Sequence, residues 1–194
     1  SVNDCCGSIA TQLTVDGDIL AIATTSTDGP EGDSGYTAMY EFSSETQLWE
    51  LIGERIPGFQ VYTYSKAISL SVDGSVEAVG NPSAIGTGEV RVYSRDFWDC
   101  PSNVTWCQIG RSIFGGAYED LFGEAVSLSA DGQILAIGAP GIIQCSGRGC
   151  FLARTYQYYE STNEWGPYGQ ELLGGYGFGH IVDLSPDGMS LAVA

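Results

Sequence analysis

The sequence predicts an all-β chain, and within that class a β-propeller of four-stranded antiparallel blades, about 57 residues to a blade. Three observations predict it. An Asp-Gly dipeptide recurs at Asp16-Gly17, Asp73-Gly74, Asp131-Gly132 and Asp187-Gly188, at intervals of 57, 58 and 56 residues. The flanks recur in register: Leu13, Leu70, Leu128 and Leu184 stand three residues before each Asp, and Ala21, Ala78, Ala136 and Ala192 five residues after it. The composition suits strands and turns, with 27 Gly, 11 Tyr and many Ser and Thr in 194 residues. A fixed repeat of this length marks a stacked or radial architecture.

Each element of the unit has its own signal. Before the dipeptide, Val126 and Leu128 alternate with Ser127 and Ser129, and Ile68, Leu70 and Val72 alternate with Ser69 and Ser71. A period of two with small polar partners reads as a half-buried first strand. Asp-Gly then supplies the positive φ angles of a tight hairpin turn. The second strand, as at Ile134 to Gly138, is continuously apolar and is expected to be buried on both faces, its Ala and Gly marking a crowded place. The third strand runs over 36–42, 89–93 and 151–158. The fourth carries a Trp with Gly four residues later: Trp49 and Gly53, Trp106 and Gly110, Trp165 and Gly169. These tryptophans are expected to pack between neighbouring blades. Trp98, in the stretch 96–100, stands outside the register. Blades are thus placed at 8–58, 64–116 and 122–175, with the first two strands of a further blade at 178–194. The chain is expected to be part of a longer propeller, or to borrow strands from a neighbouring subunit. Repeated head to tail, that exchange would build a homo-oligomer or filament.

Lys and Arg total 7 against 24 Asp and Glu, a net charge of −17. Nothing so acidic neutralises a row of phosphates or an anionic lipid surface, which argues against nucleic acid and membrane partners. No apolar run is long enough for a membrane helix. The start has no Met and no basic segment and reads as a mature or truncated end. Six cysteines suit an oxidising, extracellular compartment. Cys100 with Cys107, and Cys145 with Cys150, are expected as disulfides that each clamp one loop. Zinc is the weaker reading, because the only His is His180 and the spacings miss the common zinc modules. Cys5 and Cys6 are adjacent, and the sequence assigns them no partner.

Phe122-Gly123 followed by Gly138-Ala139-Pro140 resembles the FG-GAP repeat of integrin α-subunit propellers. The last unit keeps Phe178-Gly179, the second has Tyr64-Ser65 and Gly80-Asn81-Pro82, and the first keeps neither. The unit is also similar to that of secreted microbial and algal propellers. The resemblance implies a propeller and, in many members, a calcium loop rich in Asp and Asn between the first two strands. Here that loop holds one turn carboxylate per unit, at Asp16, Asp73, Asp131 and Asp187, with Asp18 beside it in the first unit alone, and Ca²⁺ wants six to eight oxygens, so the family's site does not carry over. These residues are read as turn formers. Asp28, Glu31 and Asp33 are the remaining candidate Ca²⁺ ligands, set against a plain solvated loop.

Catalytic chemistry has little to stand on. His180 occupies a variable repeat position shared with Lys66 and Glu124, which speaks for exposure rather than for a nucleophile's base. Nothing singles out two carboxylates for glycoside hydrolysis. Asn103-Val104-Thr105 is an acceptor for an N-linked glycan inside the Cys100–Cys107 loop. The expected function is a non-enzymatic extracellular structural or adhesive propeller, presenting variable loops to a protein or glycan at the cell surface or in the matrix. The alternatives are a lectin-like module using residues 96–99 or 156–159, and a carboxylate-based glycoside hydrolase.

Overall fold

The computed structural model describes residues 8–24, 35–58, 65–141 and 151–194. The Ser/Thr-x-Asp-Gly stretch folds each inner hairpin in the same way. In the second unit the Ser71 hydroxyl donates to Asp73 Oδ1 at 2.7 Å and accepts from the Val76 amide at 2.9 Å. Thr14 with Asp16, Ser129 with Asp131 and Ser185 with Asp187 repeat the hydroxyl-to-carboxylate bond at 2.7, 2.6 and 2.6 Å. The loop is longer than a two-residue Asp-Gly turn. The Ser71 amide donates to the Val76 carbonyl at 2.9 Å, which leaves residues 72–75 outside the ladder. Only the Gly of each dipeptide has positive φ, +82°, +63°, +69° and +68° at Gly17, Gly74, Gly132 and Gly188. The Asp accepts hydrogen bonds instead. Burial works against the charge of Asp73, but the Ser71 hydroxyl and the Ser75 amide outweigh it and hold the carboxyl below its ordinary value.

The hairpins grow into antiparallel sheets. The first holds β1 (Ser8–Leu13), β2 (Ile19–Thr24), β3 (Tyr36–Ser43), β4 (Leu48–Leu51) and β5 (Ile56–Pro57). The second holds β6 (Ala67–Leu70), β7 (Val76–Asn81), β8 (Glu89–Ser94), β9 (Cys107–Gln108) and β10 (Ile113–Phe114). The third holds β11 (Ala125–Leu128), β12 (Ile134–Ala139), β13 (Leu152–Tyr159), β14 (Glu164–Pro167) and β15 (Leu172–Leu173). A fourth holds β16 (Val182–Leu184) and β17 (Leu191–Val193). In each complete sheet the fourth strand position is broken in two, and both halves pair with the third strand. The break falls at the Gly that follows the Trp: Gly53, Gly110 and Gly169 have φ of +68°, +68° and +75°.

Radial order comes from bonds between the inner strands. The Leu70 amide donates to Gln12 Oε1 at 2.9 Å, the Leu128 amide to Ser69 Oγ at 2.9 Å, and the Leu184 amide to Ser127 Oγ at 3.0 Å. The polar alternates of the first strand therefore do not face water, as a half-buried strand would have it. Ser69 is 5% exposed and joins two blades. The four inner strands stand side by side around one axis, and the hydrophobic core lies between successive sheets rather than inside any of them. Strands β7 and β12 are buried along their whole length, whereas β2 is buried only at alternate residues, since one face of the first sheet has no sheet against it among the described residues.

The glycine-rich flanks pack across the same interfaces. A Cβ on Gly80 would lie 2.2 Å from the Gly123 carbonyl oxygen, and one on Gly138 would lie 2.0 Å from that of Gly179. The Gly-x-Pro of one blade thus receives the Phe-Gly of the next, with Phe122 fully buried. The recurrent Trp works the same way. The indole N–H of Trp106 donates to the Ile52 carbonyl of the first sheet at 3.0 Å, and that of Trp165 to the Ile109 carbonyl of the second at 3.1 Å. Trp106 is 4% exposed. Trp49 departs from this: it is 42% exposed and packs edge-on against Phe42 of its own sheet.

Candidate functional site

The connection from the third strand to the recurrent Trp is where the repeat changes length. Five residues, 44–48 and 160–164, make it in the first and third sheets, and eleven, 95–105, make it in the second. The six added residues are not needed to close a blade, since its neighbours close without them. They are also held firmly. Cys100 and Cys107 form a disulfide, S–S 1.99 Å. The amides of Thr105 and Trp106 both donate to the Glu54 carboxylate of the first sheet, at 3.1 Å to Oε2 and Oε1 respectively. Burial opposes the charge of Glu54, but these backbone donors outweigh it and hold its carboxyl below the ordinary range. The Asp96 amide donates to Ser94 Oγ at 3.2 Å.

This loop stands over a cleft of about 250 Å³ between the second and third blades. Asp96, Phe97 and Trp98 border it on one side, and Tyr158 and Glu160 on the other. Phe97 packs on the core between the two sheets, and its ring lies 5.7 Å from that of Trp98. Trp98 itself is 81% exposed. Tyr158 OH donates to Asn163 Oδ1 at 2.8 Å, and burial together with the nearby Glu160 carboxylate pushes its phenol up.

The other sequence-predicted residues fall elsewhere. Asn103 is exposed on the same loop. The turn pairs Asp16-Gly17, Asp73-Gly74, Asp131-Gly132 and Asp187-Gly188 serve the hairpins. Cys145, Cys150, Asp28, Glu31 and Asp33, like Cys5 and Cys6, lie outside the described residues. Among the described residues no group of three or more His, Cys, Asp or Glu is gathered as metal ligands. His180 lies 3.7 Å from the Glu124 carboxylate, which also pairs with Lys66, so these three repeat-equivalent positions meet in one row across blades. A second cleft, about 200 Å³ at the axis, is lined by the inner strands and turns already described. Glu54 and the buried Glu77 are the residues that sequence reasoning missed. For Glu77 a signal existed, since the equivalent residues are Leu20, Leu135 and Leu191.

No family model and no curated protein matches this chain. Among solved structures it is similar to the tricorn protease at 9% identity and a TM-score of 0.46, covering 96% of this chain and 20% of that one. It is also similar to the WD40 repeats of RRP9, at 10% identity and a TM-score of 0.27, and to U3-55K, at 10% and 0.26. The former covers 99% of this chain and 90% of that one, the latter 99% and 91%. This chain spans about a fifth of the tricorn protease chain. The propeller architecture follows from the chain's own sheets, and the FG-GAP resemblance stays at the level of the motif.

Proposed function

We propose that this chain is a non-enzymatic extracellular structural or adhesive propeller that meets its partner through the loop 95–105 of the second blade. The observation that carries the reading is the lengthened connection: a disulfide-closed loop on an otherwise regular blade, holding an exposed Trp. Regular repeats supply a rigid frame, and departures from them are where recognition is placed. The disulfide suits an oxidising compartment, and exposed Asn103 suits an N-linked glycan. The net charge of −17 keeps such a surface away from anionic partners.

The test uses beads coated with the purified glycoprotein on the surface of the cells that make it. Trp98→Ala is expected to lower bead attachment at least tenfold with the melting temperature unchanged. Attachment indifferent to Trp98 contradicts the reading. A sustained release of reducing ends from neutral polysaccharides would contradict its non-enzymatic part. A second reading, a carbohydrate ligand, is favoured by the cleft beneath the loop and is taken up next.

A further inference from the structure

The lengthened loop of the second blade and the outer end of β13 in the third lie some sixty residues apart in sequence and face each other across one cleft. We propose that this cleft binds a neutral, hydroxyl-rich glycan, with one sugar ring lying against the indole of Trp98. The inference rests on the reading of loop 95–105 as the contact surface and names the ligand class.

Trp98 is the first argument. A large apolar ring left 81% exposed loses the benefit of burial. It has no part in blade packing, since Trp106 fills the repeat position in the same sheet. Its loop is held by the disulfide, by Glu54 and by Phe97 behind it, so little ordering remains to be lost on binding. A sugar ring has an apolar face of C–H groups and a polar rim of hydroxyls. It therefore wants a flat apolar surface beside fixed acceptors.

The cleft supplies the acceptors. Asp96, Asp131 and Glu160 line it together with the Gln133 amide and the Ser94 hydroxyl. Carboxylates accept hydroxyl protons in charge-assisted bonds about twice as strong as neutral ones. An aromatic wall with a few convergent polar groups is the ordinary build of a small-ligand site.

Charge narrows the class. The three charged residues of the lining are all acidic, in a chain of net charge −17. Sulfated, sialylated and uronic-acid sugars are disfavoured there, which leaves neutral ones.

The experiment is a calorimetric and Trp-fluorescence titration of the full protein carrying Asn103→Gln, which removes its own glycan from the loop. The probes are neutral tetrasaccharides of glucose, xylose, mannose and galactose, a tetrasaccharide of uronic acid, and a lysine-rich peptide. At least one neutral tetrasaccharide is expected to bind saturably and shift the indole fluorescence, and the uronate is expected not to bind. Trp98→Ala is expected to weaken binding at least tenfold and Glu160→Gln severalfold, with circular dichroism unchanged. Neutral sugars that all fail to bind, or that bind equally to Trp98→Ala, overturn the proposal. So does binding of the uronate, or of the lysine-rich peptide alone with strong salt dependence. If the sugars fail while bead attachment still depends on Trp98, the glycan assignment falls and the contact-surface reading stands. If neither responds to Trp98, both fall.

Discussion

At one position of the second strand three units carry leucine, Leu20, Leu135 and Leu191, and the second unit carries Glu77. Glu77 is fully buried between the first and second sheets, where the Thr37 hydroxyl donates to Oε2 at 3.3 Å and Oε1 has no partner among the described residues. Burial pushes its carboxyl up to about 8, against a weak opposing pull from Thr37. On β8 the neighbouring titratable groups are Tyr93, directly across the ladder, with Arg91 and Glu89 beyond it. The folded protein thus favours the protonated form. That stabilisation is fully present below about pH 4.5, the unfolded value, and is lost as pH rises to about 8. The slope within that window is about 1.4 kcal/mol per pH unit at most. Glu77→Leu is expected to flatten this dependence and to raise the melting temperature at pH 8. Denaturant unfolding at several pH values checks it, and a variant less stable than the parent at pH 8 contradicts it. A second residue-scale prediction concerns Gly138, where a Cβ meets the Gly179 carbonyl of the next blade at 2.0 Å. Gly138→Ala is expected to destabilise by about 1–3 kcal/mol through overpacking. Gly175→Ala, where a Cβ meets nothing within 4 Å, serves as the neutral control.

Elements were legible where their cause is local. The alternation before each Asp-Gly and the apolar run after it mark β6 and β7, or β11 and β12, because hydrophobic period is a property of neighbouring residues. What the sequence concealed depends on partners a blade away. Ser69 looks like a solvent-facing alternate until its acceptor role toward the Leu128 amide is seen. Trp-x-x-x-Gly reads as one strand, yet the positive φ of Gly110 breaks it into β9 and β10. Trp98 was visible as an outlier, but the cleft was not, since residues 96–98 and 158–160 meet only through the packing of two sheets. Glu54 gave no signal, because its donors are backbone amides 51 and 52 residues on. Glu54→Ala is expected to speed hydrogen exchange at the Thr105 and Trp106 amides at least tenfold and to lower the melting temperature by about 2–6 °C, the loss of two modest hydrogen bonds. Unchanged exchange would show that the disulfide holds the loop unaided. Removing the disulfide by Cys100→Ser with Cys107→Ser is expected to cost about 2–3 kcal/mol in the chain-entropy account.

Across the whole molecule the blades form an additive series: an inner-strand bond joins each described blade to the next, a Trp spans the first and second interfaces, and a glycine contact closes the second and third. Such a series tolerates a change in one connection without rearranging the rest. Its charge of −17 opposes compaction through self-repulsion. Stability is therefore expected to rise with ionic strength as the Debye length falls to about 8 Å near 0.15 M salt, which thermal melts across a salt series would follow. The separation of frame from function is what most needs testing: the repeat builds the frame, and the added residues of the second blade carry recognition. Replacing residues 95–105 by the five residues 160–164 of the third blade addresses it directly. The chimera is predicted to keep the β-sheet circular dichroism and cooperative melting of the parent while losing bead attachment and glycan binding. A chimera that fails to fold, or one that folds and still attaches, would contradict the account.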